Sequence, residues 1–177
     1  MWQSFHDHEN MPMKSLSCII PALAVSTLLL TSCEPFDKVS NIPEIHFKSY
    51  TPFLADTFEF TIEAGELVFS FQDGNADFGT DTITFPDINK DNLILLPYSK
   101  IDGEYDSIDA ETYGRRYSIA WNESLSRTGQ NKTIRGEIKL QIFYLLTPPY
   151  DTIRYDFYIV DRDGNKSNVE STTDIAF

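Results

Sequence analysis

The chain has 177 residues, two cysteines, three histidines and a formal net charge of −13 at pH 7. So large an excess of carboxylates repels nucleic acid and anionic lipid surfaces, and neither is expected as a direct partner. Two cysteines make no disulfide framework, and the length suits one domain of ordinary size held together by its core.

Residues 1–12 (MWQSFHDHENMP) carry Asp7 and Glu9 without a Lys or Arg, the wrong charge for the start of an export signal. They read as translated from a start codon placed too early, with Met13 the beginning; the competing reading is a genuine leader without structure. On the first reading His6 and His8 are absent from the mature protein. Residues 13–32 have one basic residue, Lys14, then an apolar run from Ile19 to Leu30, then small residues. That is the layout of a secretory signal. The run is too short to cross ~30 Å of hydrocarbon, which takes about 20 apolar residues.

Leu30-Thr31-Ser32-Cys33 resembles the lipobox of bacterial lipoproteins. The resemblance implies cleavage just before Cys33 and a diacylglycerol on its sulfur, which ties the mature chain to a membrane through covalent lipid. The alternative is a plain secretion signal followed by an incidental thiol. At ~0.8 kcal/mol per buried CH₂, two or three acyl chains anchor durably. Cys18 would leave with the signal, so no disulfide is expected. Loss of Asp7, Glu9 and Lys14 changes the charge of −13 by a single unit, to −12. The address implied is the bacterial cell envelope at the outer membrane, on its periplasmic or its outer side.

Residues 33–43 comprise the acylated cysteine and a polar, proline-punctuated stretch, EPFDKVSNIP, that reads as a tether. Residues 44–177 read as a single β domain. Phe58, Phe60 and Ile62 alternate with polar neighbours, as do Leu67, Phe69 and Phe71, then Tyr117, Ile119 and Trp121. Leu93 to Tyr98 is a short apolar run. Ile134, Gly136, Ile138, Leu140 and Ile142 share one face, and so do Ile153, Tyr155, Phe157 and Ile159. This period of two marks half-buried antiparallel strands. About seven to nine of them predict an all-β fold, a single immunoglobulin-like antiparallel β-sandwich. Pro148-Pro149-Tyr150-Asp151 is expected to close a hairpin, and Asp163-Gly164-Asn165 to supply positive φ ahead of a last strand near Val169. Gly136, inside a strand, predicts a bulge or a close backbone approach. The polar loop 122–132 is expected to be the most mobile element.

Two acidic turns are candidate sites. In Asp73-Gly74-Asn75-Ala76-Asp77-Phe78-Gly79, side-chain oxygens at Asp73, Asn75 and Asp77 can wrap a hard cation such as Ca²⁺. The spacing is not that of an EF-hand, because the sixth position is Phe78 and the twelfth Thr84. The competing reading is a turn whose Asp and Asn side chains cap backbone amides. In Asp161-Arg162-Asp163-Gly164-Asn165, Arg162 offers an internal counter-charge. No other cofactor is expected.

Phe69 to Gly79 resembles a segment of small lipoproteins of the Bacteroides group, and Tyr155 to Ile175 is similar to their closing segment. Neither segment carries a known activity. Asn75 and Ala76 stand where that pattern has an acidic residue and a glycine, which removes a charge and stiffens the turn. The resemblance further implies O-glycosylation at Asp-Ser/Thr followed by an aliphatic residue, met here at Thr82, Ser107 and Thr152.

Catalytic equipment is sparse. His46 is the sole histidine after the signal, which excludes Cys-His chemistry and a zinc site of several His or Cys ligands. It is expected at a strand edge, and the chain is not expected to be an enzyme. Three roles follow: an accessory docking an envelope protein, a glycan binder, and a structural spacer or fibre component. Glycan binding would use aromatic faces, with Tyr105 and Tyr113 the expected exposed pair.

Overall fold

The computed structural model of the chain describes residues 39–57, 60–80, 91–120 and 132–177. The anchor residue Cys33, the signal, Phe58, Thr82, Trp121 and nearly all of the loop 122–132 lie outside them. Nine strands occur among the described residues: β1 (Glu44–Asp56), β2 (Thr61–Asp73), β3 (Leu93–Ile101), β4 (Glu104–Ser107), β5 (Arg115–Tyr117), β6 (Ile134–Tyr144), β7 (Thr152–Ile159), β8 (Glu170–Ser171) and β9 (Ile175–Ala176). There is no helix among those residues. One sheet has the order β1-β2-β6; the other runs β4-β3-β7-β8, with β5 also on β3 and β9 also on β7. All of these pairings are antiparallel, and the two sheets form a β-sandwich. The all-β fold agrees with the alternation in the sequence.

The alternation also locates the core. On β7, Ile153, Tyr155, Phe157 and Ile159 are fully buried while Arg154, Asp156 and Tyr158 are half-exposed. Leu67, Phe69 and Phe71 of β2 are buried on the other sheet, and the Phe69 and Phe157 rings meet at 5.2 Å. Each such side chain contributes about 1.5–3 kcal/mol by leaving water.

Four expectations are corrected. The prolines at 148 and 149 do not close a hairpin. β6 pairs with β2 and β7 with β3, so residues 145–151 carry the chain from one sheet to the other. Both strands have an apolar face, and placing them in opposite sheets lets those faces cover each other across the core. Gly136 makes no bulge, since its ladder to Phe71 is unbroken. A Cβ there would lie 2.8 Å from the Phe71 ring, so the glycine makes room for an aromatic side chain rather than for backbone. The irregularity falls instead in β1, between Phe47 and Ser49. Phe60 is not in a strand: it sits in a turn, 55% exposed, with its N–H donating to Thr57 Oγ1 at 3.1 Å. The last strand expected near Val169 is two short pieces, β8 and β9, and Val169 itself is exposed.

Two turns follow their sequence chemistry. Gly164 has φ 86°, as the Asp-Gly-Asn turn requires. Asp102 (φ 52°) and Gly103 (φ 89°) both have positive φ and join β3 to β4 in a tight two-residue hairpin.

Candidate functional site

β2 ends at Asp73, which is fully buried. Its carboxylate accepts the backbone N–H groups of Asn75 (3.3 Å), Asp77 (3.0 Å) and Phe78 (3.0 Å). Asp73 is thus a turn cap, which removes it as a free ligand and supports the capping reading over the cation reading at this residue. Gly74 is fixed by close approach, since a Cβ would lie 2.5 Å from the Ser40 and Val39 carbonyl oxygens. Ala76 holds φ 59°, the left-handed region a glycine would enter freely.

The second acidic turn closes on itself. Asp161 is buried, and its carboxylate accepts the backbone N–H of Asn165 at 2.7 Å and the Asn165 side-chain amide at 2.8 Å. Arg162 reaches across to the first turn. Its Nε donates to the Asp77 carbonyl at 2.8 Å, its Nη2 to the Ala76 carbonyl at 3.1 Å, and its backbone N–H to the Asp77 carbonyl at 3.2 Å. The two turns treated separately in the sequence are one structure.

Asp77 is the exceptional group in it. Neither of its carboxylate oxygens is exposed or accepts a hydrogen bond from the described residues, and the same holds for Asn75 Oδ1. Burial pushes the Asp77 carboxyl up to about 7, helped by the neighbouring Asp73 carboxyl and the charges of Asp161 and Asp163. Near neutral pH the group is poised between its acid and its carboxylate. The oxygens a hard cation would find are those of Asn75 and Asp77. Among the described residues, no three or more His, Cys, Asp or Glu side chains are gathered to hold a metal.

The tyrosines expected to be exposed are half-buried. The Arg154 guanidinium lies 3.8 Å over the Tyr105 ring and the Lys100 ammonium 5.3 Å from it, while the Tyr105 hydroxyl bonds to Asp174. Tyr113 packs edge-on against Tyr150 at 6.3 Å, and its carbonyl accepts the Tyr155 hydroxyl. These are packed rings, and Tyr113 and Tyr150 stand at 80° to each other rather than coplanar. Of the glycosylation candidates, Ser107 is exposed at the end of β4, and Thr152 is half-buried at the start of β7, paired with Ala176. His46 is exposed on β1, with Nε2 3.3 Å from Glu44 and Nδ1 3.9 Å from Glu170.

Sequence reading missed three polar devices. Asn92 is buried and brackets Ile119, accepting its N–H at 2.7 Å and donating to its carbonyl at 2.9 Å. Asn168 does the same for Ile45 on the edge of β1, both bonds being 2.8 Å. The Tyr50 and Tyr144 hydroxyls share a 2.8 Å hydrogen bond, and burial raises both above the ordinary tyrosine range. None of the three carries a local signal in the sequence, because each pairs residues 27 or more positions apart.

No protein-family model matches the chain, and no curated protein sequence does.

Proposed function

We propose that this chain is a lipid-anchored protein of the bacterial cell envelope, acylated at Cys33, whose β-sandwich docks a protein partner and catalyses no reaction. The observation that carries the reading is Leu30-Thr31-Ser32-Cys33 directly behind a basic-then-apolar segment too short to span a bilayer. An acidic domain held on a lipid tether suits a surface that must stay off anionic headgroups while meeting other proteins. The strand order β1-β2-β6 opposite β4-β3-β7-β8 supports assigning the domain to the immunoglobulin-like class, a frequent carrier of docking surfaces. The packing of Tyr105 and Tyr113 into their surroundings favours protein over glycan as the partner.

The test is a Cys33→Ser variant expressed in a bacterium with a lipoprotein pathway. The wild-type chain is expected to sediment with membranes and to incorporate labelled palmitate, and the variant to do neither. Equal membrane retention of the two would remove the anchoring reading.

A further inference from the structure

At the hairpin end of the β1-β2-β6 sheet, Leu54, Glu63 and Tyr144 lie side by side in register. Tyr144 is buried, with its ring 4.9 Å from Phe177, yet Leu54 is 70% exposed. The inner face of this sheet therefore runs out from under cover just beyond β9. A groove of about 230 Å³ results, walled by Pro52, Leu54, Ile175 and Phe177 and bearing Glu63 and Tyr144. Further apolar side chains, Leu145 and Leu146, stand exposed on the crossover directly after Tyr144.

Glu63 is out of place among those walls. Its Oε2 has no exposed surface and no hydrogen-bond donor among the described residues. No cation of the described residues pairs with it, although six other ion pairs form among them. A carboxylate left in that state costs free energy until a donor reaches it.

We propose that the groove seats one arginine or lysine side chain of a protein partner, flanked in the partner by apolar residues. The cavity is smaller than the ~300–1,000 Å³ of sites for whole small molecules, and it suits a single long side chain. Arg and Lys have apolar stems to pack on the walls and a cationic head to reach Glu63. The chain's charge of −13 draws such a segment in and repels an acidic one.

The proposal rests on the protein-docking reading above and supplies the chemistry of the partner. Its test does not depend on the lipid, so either can fail alone. The full chain, purified from whichever cell fraction retains it, is used to select binders from a library of random heptapeptides. Selected peptides are expected to carry Arg or Lys beside aliphatic or aromatic residues. The best of them, synthesised, should bind Glu63→Gln about tenfold more weakly and should lose a similar factor when its basic residue is made neutral. The two changes together should cost no more than either alone, because they remove one interaction. Leu54→Ser, at an exposed position, should weaken binding without unfolding the chain. Selected peptides with no basic enrichment, or a best binder indifferent to both substitutions, would overturn the proposal. So would a concentration-dependent dimer abolished by Leu54→Ser, because a second copy would then be the occupant.

Discussion

Asp77 shows how one residue makes the fold sensitive to pH. Burial pushes its carboxyl up to about 7 in the folded chain, against 3.8 for an ordinary aspartate. Below the lower value it is protonated in both states and has no effect on stability. Between the two the folded state binds the extra proton, so stability falls as pH rises from about 4 to about 7 and stays low above that. Although its oxygens are covered, Asp77 as a residue is only half-buried, and screening from the nearby solvent reduces the loss to on the order of 1 kcal/mol. Asp77→Asn should remove this pH dependence and raise the urea midpoint at pH 8 relative to wild type. With Asp73 committed to three backbone amides, millimolar Ca²⁺ at pH 8 should leave the wild-type midpoint where it was. A rise that disappears in Asp77→Asn would instead make the turn a cation site. At Gly164, φ 86° and an empty surround mean that an added methyl meets no neighbour and only backbone strain. Gly164→Ala should destabilise by about 1 kcal/mol in the same measurement.

At the scale of elements, what decides behaviour is how the edges are closed. β1 is an edge strand of 13 residues, the kind of template on which another chain can pair. Asn168 occupies the backbone groups of Ile45 as a neighbouring strand would, the register shifts between Phe47 and Ser49, and Pro52 interrupts the donors further along. Asn168→Ala should cost about 0.5–1.5 kcal/mol and increase light scattering on storage, whereas a change at exposed Val169 should do neither. Much at this scale was legible beforehand. The faces of β6 and β7 follow from counting every second residue, because the pleat allows nothing else. Which strand lies beside which was not legible, and the crossover at Pro148-Pro149 looked like a hairpin for that reason. Alternation reports which side is wet, and it is silent on the neighbour. The joining of the acidic turns by Arg162 was equally hidden, since its partners lie 85 and 86 positions away and no local signal spans that distance. The half-burial of Tyr105 was hidden for a related cause: acidic and glycine neighbours suggested exposure, while Arg154, far along the chain, covers its ring.

For the whole molecule, cohesion comes from the layer between the sheets. Phe69 and Phe157 meet there from opposite sheets, both fully buried. Phe157→Ala should therefore cost about 3–5 kcal/mol in equilibrium unfolding, enough to threaten a domain of ordinary stability. The same sandwich leaves one end of its inner face uncovered, where Glu63 pairs with no cation of the described residues, and that is where a basic segment of a partner would insert. The proposed anchor and the proposed groove are complementary: lipid would confine the acidic domain to an envelope surface, and confinement would raise the frequency with which a modest groove meets its partner. The most direct test is mass spectrometry of the mature protein extracted from membranes. The expected result is an N-terminal peptide beginning at Cys33 and carrying a diacylglycerol on sulfur. An N-terminus elsewhere, or an unmodified Cys33, would contradict it.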